Sequence, residues 1–256
     1  MKGTVGTGVV YLVGAGPGAA DLLTLRAARL LAEADVVYYD ALVPDEILAL
    51  AARAERIAVG KRSGRHSTAQ RFINKRLADA ARKHRIVLRL KGGDPLVFGR
   101  AQEEIDFLRE RGIAVQVVPG VTAALAAGAD LGVSLTRRGV ARSLAFVTPR
   151  VGAGEAKSTW IATVLAADTA VIYMGAGEAE AIAQALIAAG KPRGTPVAVI
   201  ENASLAEART ALGTLAHLPQ LAAQLSGGPV LIVLGEILRN ASGAEQPATA
   251  RTQQAR

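Results

Sequence analysis

Cysteine is absent from the 256-residue sequence, and aromatic residues make up only 4% of it. Without a thiol, the chain can form no disulfide, thiolate metal site, iron–sulfur cluster or cysteine nucleophile. The few aromatic side chains leave little surface on which bases can stack, so the composition disfavours a nucleic-acid-binding module of the stacking kind.

Long apolar runs are also missing, although half of the residues are apolar. Asp130 and Asp168 interrupt the two most apolar regions, and neither region reaches the roughly 18 residues of a spanning helix. The N-terminal residues lack the apolar stretch of a signal peptide. We therefore expect no membrane segment, a cytoplasmic location, and either one large core or two modest ones.

Acidic residues are scarce in one part of the chain. The sequence has 30 Lys and Arg against 22 Asp and Glu, a net charge of +8. The segment from Arg53 to Lys91 alone contains thirteen basic and two acidic residues. This excess favours an anionic partner, either a polycarboxylate, a phosphate ester or a nucleic acid. Solvated helix faces rich in arginine would give the same count.

Short apolar strands alternate with segments of helical periodicity, which predicts an α/β fold with a largely parallel sheet. Strands are predicted at 9–13, 35–39, 56–59, 86–90 and 114–118, then at 143–148, 169–174, 196–200, 208–213 and 229–235. We predict a flexible N-terminus at 1–8, domains at 9–134 and 135–240, and a disordered tail at 241–256.

The first strand ends in the loop Gly14–Ala19, which reads GAGPGA, and Asp40 closes the next strand. This spacing also fits a dinucleotide-binding fold, so an NAD-dependent Rossmann oxidoreductase is an alternative. Pro17 argues against it, because it removes an amide from the loop that would hold a pyrophosphate. The following helix is expected to begin late, with Asp21 as its N-cap.

Two further loops follow predicted strands: Lys91–Pro95, which reads KGGDP, and Val118–Ala123, which reads VPGVTA. Paired glycines let a ligand approach the backbone, and a carboxylate at a strand end can accept hydrogen bonds from it. Each loop alone would pass for a plain turn. We expect the three loops to meet at the carboxyl edge of one parallel sheet, where ligands bind.

Six segments occur in the order, and with the residues, that are typical of one known family. They are VYLVGAGPGAADLLTLRAARLLAEADVVYYDALV at 10–43, VGKRSGRHS at 59–67, RLKGGDPLVFGRAQEE at 89–104, VVPGVTAALAA at 117–127, PVAVIENAS at 196–204 and LIVLGE at 231–236. Together they resemble the uroporphyrinogen-III C-methyltransferases of the tetrapyrrole methylase family. The resemblance covers roughly residues 9–238, and it weakens the dinucleotide alternative.

The resemblance implies two αβα domains with mainly parallel sheets and the active site in the cleft between them. It also implies a homodimer that binds S-adenosyl-L-methionine, releases S-adenosyl-L-homocysteine and uses no metal. The residues that match the family's cofactor contacts are Pro17, Gly92, Gly93, Asp94, Val97, Thr122, Ala123, Met174 and Ala203.

The implied reaction is methylation of uroporphyrinogen III at two pyrrole carbons, which gives precorrin-2. Asp40 and Lys61 match the family's proton acceptor and proton donor, while Arg100 and Glu103 match positions implicated in substrate binding and proton handling. Whether Asp40 or the Arg100 and Glu103 pair accepts the proton stays open. Because the substrate carries many carboxylates, basic residues should bind it; the candidates are Arg62, Arg65, His66, Arg137 and Arg138.

The sequence departs from the family pattern at several positions near the expected site. Another tetrapyrrole or corrin precursor on the same fold is therefore an alternative substrate. The departures are Ala101 and Gln102 in place of two glycines, Arg137 in place of histidine, Pro149 and Arg150 in place of a Gly-His pair, and Ala203 in place of glycine.

Overall fold

The computed structural model describes residues 8–59, 70–152 and 158–241 of the chain. These residues divide into two units. The first unit holds the described residues up to Ala126 together with Ser204–Ala206, and the second holds Ala127–Ala203 and the described residues from Glu207 onward. The division therefore falls inside the helix Ala123–Asp130, ahead of the boundary that we predicted at residue 135.

The first unit is built on a five-stranded parallel sheet with the strand order β3-β2-β4-β1-β5. The strands are short and most are rich in β-branched residues, and they are joined by helical crossovers, as parallel pairing requires. The strands are β1 (Val9–Gly14), β2 (Val36–Tyr39), β3 (Glu55–Ala58), β4 (Ile86–Lys91) and β5 (Val115–Val118).

Helices cover both faces of this sheet. Side chains of β1 alternate between two apolar cores, so that Val10 and Leu12 face one core and Val13 faces the other, as the two-residue period of a strand requires. The helices of the first core are α3 (Gln70–Ala81) and α4 (Ala101–Arg109), and those of the second core are α1 (Leu25–Glu33) and α2 (Asp45–Ala49).

The second unit contains another five-stranded sheet, with the strand order β6-β7-β10-β8-β9. Its strands are β6 (Leu144–Val147), β7 (Thr169–Tyr173), β8 (Pro196–Glu201), β9 (Arg209–Thr214) and β10 (Val230–Gly235). Its helices, numbered after α5 (Ala123–Asp130), are α6 (Trp160–Ala166), α7 (Ala179–Ala188) and α8 (Leu218–Ala223).

The α/β fold class is confirmed, but the expectation of mainly parallel sheets is wrong for the second unit. Only β6 and β7 pair in parallel there, and the other three pairings are antiparallel. The segment 202–208 between β8 and β9 contains no helix, and it is too short for the crossover of a dozen or so residues that parallel strands need. Among the described residues, no helix is long and apolar enough to cross a bilayer.

Candidate active site

Three loops meet at the carboxyl edge of the first sheet, because β4, β1 and β5 are parallel neighbours. The loop after β1 is hydrogen-bonded to the loop after β4. The Ala15 amide donates to the Lys91 carbonyl at 2.8 Å, and Gly16 and Gly93 exchange amide-to-carbonyl bonds of 3.2 and 2.6 Å. The predicted convergence of the loops is confirmed.

The loops approach so closely at Gly120 that no side chain fits there. A Cβ built on Gly120 would lie 2.3 Å from the Gly93 carbonyl oxygen and 2.9 Å from the Cα of Gly14. Gly93 has a φ of +67°, a left-handed conformation that costs other residues roughly 1–2 kcal/mol. Bare backbone therefore forms this edge, and a ligand can approach its polar groups directly.

Asp94 joins the loop after β4 to the loop after β5. Its Oδ2 accepts a hydrogen bond from the Gly120 amide at 3.0 Å, and its Oδ1 accepts one from the Leu96 amide at 2.7 Å. Each carboxylate oxygen has a second lone pair, so Asp94 can still accept from a hydroxyl or an amine of a ligand.

Seven of the nine predicted cofactor residues lie in these loops of the first unit or just after them. Thr122 is buried and the other six are partly exposed. Exposed backbone next to a carboxylate acceptor suits a ligand with hydroxyl and amino groups, so these residues fit the nucleoside end of S-adenosylmethionine. The seven are Pro17, Gly92, Gly93, Asp94, Val97, Thr122 and Ala123.

The first unit does not have the topology of a dinucleotide-binding fold. In that fold the first and second strands are neighbours, whereas here β4 lies between β1 and β2. The expected late helix start is confirmed, since α1 begins at Leu25. Asp21 is not its N-cap, however, because the Thr24 side chain accepts the Ala27 amide at 3.1 Å. The glycine loop therefore leads into a single 3-10 turn, Ala20–Leu22, and not directly into the N-terminus of an α-helix that could bind a pyrophosphate.

The remaining two predicted cofactor residues lie in the second unit. Met174 directly follows β7, and Ala203 lies two residues after β8. Since β7 and β8 are both antiparallel to β10, their carboxyl ends share one edge of that sheet. Met174 has a φ of +57° and the neighbours of Ala203 have φ values of +54° and +75°. Such values at non-glycine residues are uncommon and cluster at functional sites.

Asp40, the predicted proton acceptor, is the outer end of a chain of ion pairs. It accepts from Arg89 Nη2 at 2.5 Å, while Arg89 Nε donates to Glu104 Oε1 at 3.0 Å and Lys91 Nζ donates to Glu104 Oε2 at 3.2 Å. The side chain of Asp40 is 28% exposed, whereas those of the other three are at most 4% exposed. Burial and the nearby Arg89 lower the pKa of Lys91, and Glu104 only partly opposes them.

Arg100 and Glu103 pair with each other at the start of α4. Arg100 Nε and Nη2 donate to the two carboxylate oxygens of Glu103 at 2.7 and 2.8 Å. Both side chains are more than half exposed. The hydrogen bonds from Arg100 lower the pKa of Glu103 below its usual value, outweighing its partial burial. Glu103 is therefore an ionised, oriented carboxylate at neutral pH.

The predicted substrate-binding residues are only partly within the described residues. Arg137 and Arg138 line an open depression of about 640 Å³ in the second unit, together with Thr136, Ala141 and Arg142. This group of guanidinium donors suits carboxylates. Lys61, Arg62, Arg65 and His66 lie outside the described residues.

Comparison with known proteins identifies the family. A family model described as tetrapyrrole (corrin/porphyrin) methylases matches residues 9–219. This chain belongs to that family. The resemblance inferred from the ordered motifs is thereby confirmed.

Two curated relatives of this tetrapyrrole methylase family member are siroheme synthases. That of Chromobacterium violaceum is 48% identical over 233 residues, and that of Pseudomonas aeruginosa strain UCBPP-PA14 is 47% identical over 237 residues. The matches cover 90% and 92% of this chain but only 50% and 51% of those proteins. The chain thus spans about half the length of these curated relatives.

Solved structures of the family have the same fold. The uroporphyrin-III C-methyltransferase of Thermus thermophilus, complexed with S-adenosyl homocysteine, is 41% identical with a TM-score of 0.80, and the match covers 91% of this chain and 99% of that one. A cobalt precorrin-4 methyltransferase is 25% identical with a TM-score of 0.79, covering 90% and 95%.

Sequence reasoning missed the buried ionic residues of the candidate site. The sequence motifs indicate no role for Arg89 or Glu104, and they mark Lys91 only as the start of a glycine loop. The signal for Arg89 and Lys91 was present in the sequence, because two cations two residues apart in an apolar strand share one face. Their partner Glu104 had no comparable signal, since its pairing depends on how α4 packs on β4.

Proposed function

We propose that this chain transfers methyl groups from S-adenosyl-L-methionine to two pyrrole carbons of uroporphyrinogen III and so forms precorrin-2. The observation that carries the proposal is the junction of the three loops at the carboxyl edge of the first sheet, with Asp94 as its acceptor. The relatives support it, because they include a uroporphyrin-III C-methyltransferase and siroheme synthases.

In the proposed reaction, the bound sulfonium supplies a methyl group that is already activated, so the protein chiefly contributes position and charge. The electron pair of a pyrrole carbon forms the new carbon–carbon bond while the carbon–sulfur bond breaks and its electrons stay on sulfur. The methylated ring then carries a positive charge and must lose a proton. Asp40 is our proposed acceptor, since it is the partly exposed carboxylate next to the β4 loop.

Binding of the tetrapyrrole is assigned to arginines because its acetate and propionate groups are anionic. A guanidinium donates two parallel hydrogen bonds to a carboxylate, which fixes orientation as well as affinity. We propose this role for Arg137 and Arg138, which line the open depression of the second unit, and for Arg62 and Arg65. We propose that His66 also binds a carboxylate of the substrate. Lys61 stays our proposed proton donor.

The test is incubation of the purified chain with uroporphyrinogen III and S-adenosylmethionine that carries a deuterated methyl group. The tetrapyrrole product should gain two labelled methyl groups in its mass spectrum. Transfer of only one labelled methyl group would contradict the proposed reaction. So would transfer of none by a protein that still binds S-adenosylmethionine.

A second candidate substrate is a later corrin precursor. The similarity to a cobalt precorrin-4 methyltransferase favours it, as do the departures from the uroporphyrinogen pattern at Ala101, Gln102, Pro149, Arg150 and Ala203. Competition between uroporphyrinogen III and methylated precursors in the same labelling assay would separate the two candidates, because the true substrate should have the higher kcat/KM.

We also propose that the chain is a homodimer in the cytoplasm. Support comes from large apolar side chains that the first unit leaves exposed, including Leu25 at 91% and Leu96 at 62%, since dimer interfaces bury apolar surface. Light scattering of the purified protein should give twice the chain mass, and cell fractionation should recover it in the cytoplasm. A monomer, or recovery elsewhere, would contradict these two points.

A further inference from the structure

The ion pairs behind Asp40 are difficult to explain by stability alone. Transferring a charged side chain from water into the protein interior costs several kcal/mol, and apolar residues of similar size often give equal or greater stability. Arg89, Lys91 and Glu104 are nevertheless all buried in the middle of the first unit. Together with Asp40 they carry two positive and two negative charges, so the four side chains compensate one another.

The geometry of Arg89 fixes the orientation of its guanidinium. Its Nη2 donates to Asp40, its Nε to Glu104 and its Nη1 to the carbonyl of Leu90 at 3.1 Å. All three nitrogens are therefore used, each toward a different element of the first unit. A planar group held at three points fixes the position of the Nη2 donor, and so the position of the Asp40 Oδ1 that accepts from it.

Glu104 is itself held from two sides. Its Oε1 accepts from Gln70 Nε2 on α3 at 2.9 Å as well as from Arg89 and Lys91. Gln70 also donates to Asn74, whose side chain donates to the Glu103 carbonyl at 3.3 Å. The network thus connects α3 and α4 with β4 and with the residue that follows β2.

The exposed end of this network lies next to the glycine-lined edge. Tyr39 pairs with Leu90 in the sheet, so Asp40 lies beside the last residue of β4, directly before Gly92 and Gly93. Leu42, two residues after Asp40, is the side chain that a Cβ on Gly92 would meet. The anchored carboxylate therefore faces the same edge as the proposed cofactor residues.

We propose that Arg89 is a positioning residue that orients the Asp40 carboxylate for proton acceptance, and that Glu104 and Lys91 hold Arg89 in place. This inference rests on the proposed function. The proton leaves the positively charged methylated ring, binds an oxygen of Asp40 and passes later to water, so no further reactant is required. Arg89 contacts neither substrate nor cofactor in this account and acts only through Asp40.

A double-mutant cycle in the methyl-transfer assay tests this role. Asp40→Asn should lower kcat by about 100-fold, within the usual contribution of a general base. Arg89→Lys keeps the charge but loses the planar fork, and it should lower kcat about tenfold through misplacement of the carboxylate. The KM for S-adenosylmethionine should stay unchanged in both. In the Asp40→Asn background, Arg89→Lys should have almost no further effect on kcat.

Glu201→Gln is the matched control for this cycle. Glu201 is also a buried carboxylate at a strand end, but its donors among the described residues are neutral and include the Ser226 and Gly228 amides and the Ser226 hydroxyl. Glu201→Gln should lower kcat by the same factor in the wild-type background and in the Asp40→Asn background. If the double variant Arg89→Lys with Asp40→Asn loses kcat by the product of the two single losses, the residues act independently and the positioning role is overturned.

A second measurement does not depend on activity. The carboxyl carbon signals of protein labelled with carbon-13 aspartate can be recorded by NMR, and Asp40→Asn identifies the Asp40 signal by its disappearance. Arg89→Lys and Glu104→Gln should each move that signal, whereas Glu201→Gln should not. An unmoved signal overturns the inference. If wild-type protein methylates no tetrapyrrole while the signal moves as expected, the proposed function fails and the orienting contact stands.

Discussion

The central strands of the two sheets, β4 and β10, have the same length and burial but different chemistry. Both contain six residues, of which the last five are buried. β10 reads VLIVLG and is apolar throughout, whereas β4 reads IVLRLK and ends in two buried cations. A central strand of this fold therefore needs no charge. The cations of β4 occur where the sheet edge carries the candidate site.

The buried glutamates of the two units differ in the same way. Glu104 is held by the cations Arg89 and Lys91, whereas Glu201 is held by backbone amides and one hydroxyl. Burial alone would raise the pKa of Glu201, but the hydrogen bonds from Ser226 and Gly228 lower it below its usual value. Glu104 thus belongs to a network of charged side chains, whereas Glu201 accepts hydrogen bonds from the loop that precedes β10.

The largest expected difference between the two units is the stability lost when Glu104 or Glu201 is replaced by glutamine. Glu104→Gln removes the carboxylate that pairs with the buried Lys91 and is one of the two that pair with Arg89, so it should lower the free energy of unfolding by about 3–5 kcal/mol. Glu201→Gln should cost only about 1–3 kcal/mol, the usual cost of a disturbed buried hydrogen bond. Urea unfolding of both variants measures the difference, and equal losses would remove the distinction.

The glycine-lined edge should tolerate substitution less than an open turn of the second unit. Gly120→Ala places a methyl group against backbone atoms of Gly93 and Gly14, so it should cost about 1–3 kcal/mol or more, as overpacking does, and weaken S-adenosylhomocysteine binding. Gly194 has open space around its Cβ position, and Gly194→Ala should stay within about 0.5 kcal/mol. Thermal unfolding and calorimetric titration test both, and tight binding by Gly120→Ala would contradict the assigned edge.

The cations of β4 should also give the first unit a distinct pH response. Because folding lowers the pKa of Lys91, the unfolded chain binds more protons between the folded pKa and the ordinary lysine pKa of 10.5. The free energy of unfolding should therefore rise with pH in that window, by at most about 1.4 kcal/mol per pH unit for one proton. Lys91→Met should remove this slope in denaturant titrations at successive pH values. An identical slope in the variant would show that Lys91 does not cause it.

The exposed pair of Arg100 and Glu103 should contribute least to stability. Since both side chains are more than half exposed, Arg100→Ala should cost less than about 1 kcal/mol. The small contribution should be present above the usual pKa of Glu103 and be lost as pH falls through its lowered value, because the folded state holds the carboxylate ionised. If Arg100→Ala lowered the free energy of unfolding as much as Glu104→Gln does, exposed and buried ion pairs would not differ in their contribution to stability.

Much of the fold could be predicted from the sequence because it follows from local patterns. Strand-to-helix alternation placed the elements, and glycine with proline marked the three loops of the edge. The antiparallel direction of β8 and β9 could have been predicted, since the connection between the two predicted strands is too short for a parallel crossover. The position of β10 between β7 and β8 could not, because periodicity does not reveal strand order.

The candidate site could be predicted only where its residues are consecutive in the sequence. Gly92, Gly93 and Asp94 are consecutive, so a motif reveals them. The pairing of Glu104 with Arg89 joins a helix to a strand 15 residues away and depends on tertiary packing. The helix start at Thr24 rather than Asp21 was missed because both residue types cap helices well.

Our proposals depend on the loop edge of the first sheet binding the methyl donor. A crystal structure of this chain with S-adenosylhomocysteine tests it most directly. We expect the nucleoside to lie against the backbone of Gly92 and Gly93, with Asp94 accepting a hydrogen bond from it and Thr122 in contact. Density for the ligand away from these loops, or no ligand at saturating concentration, would contradict the claim.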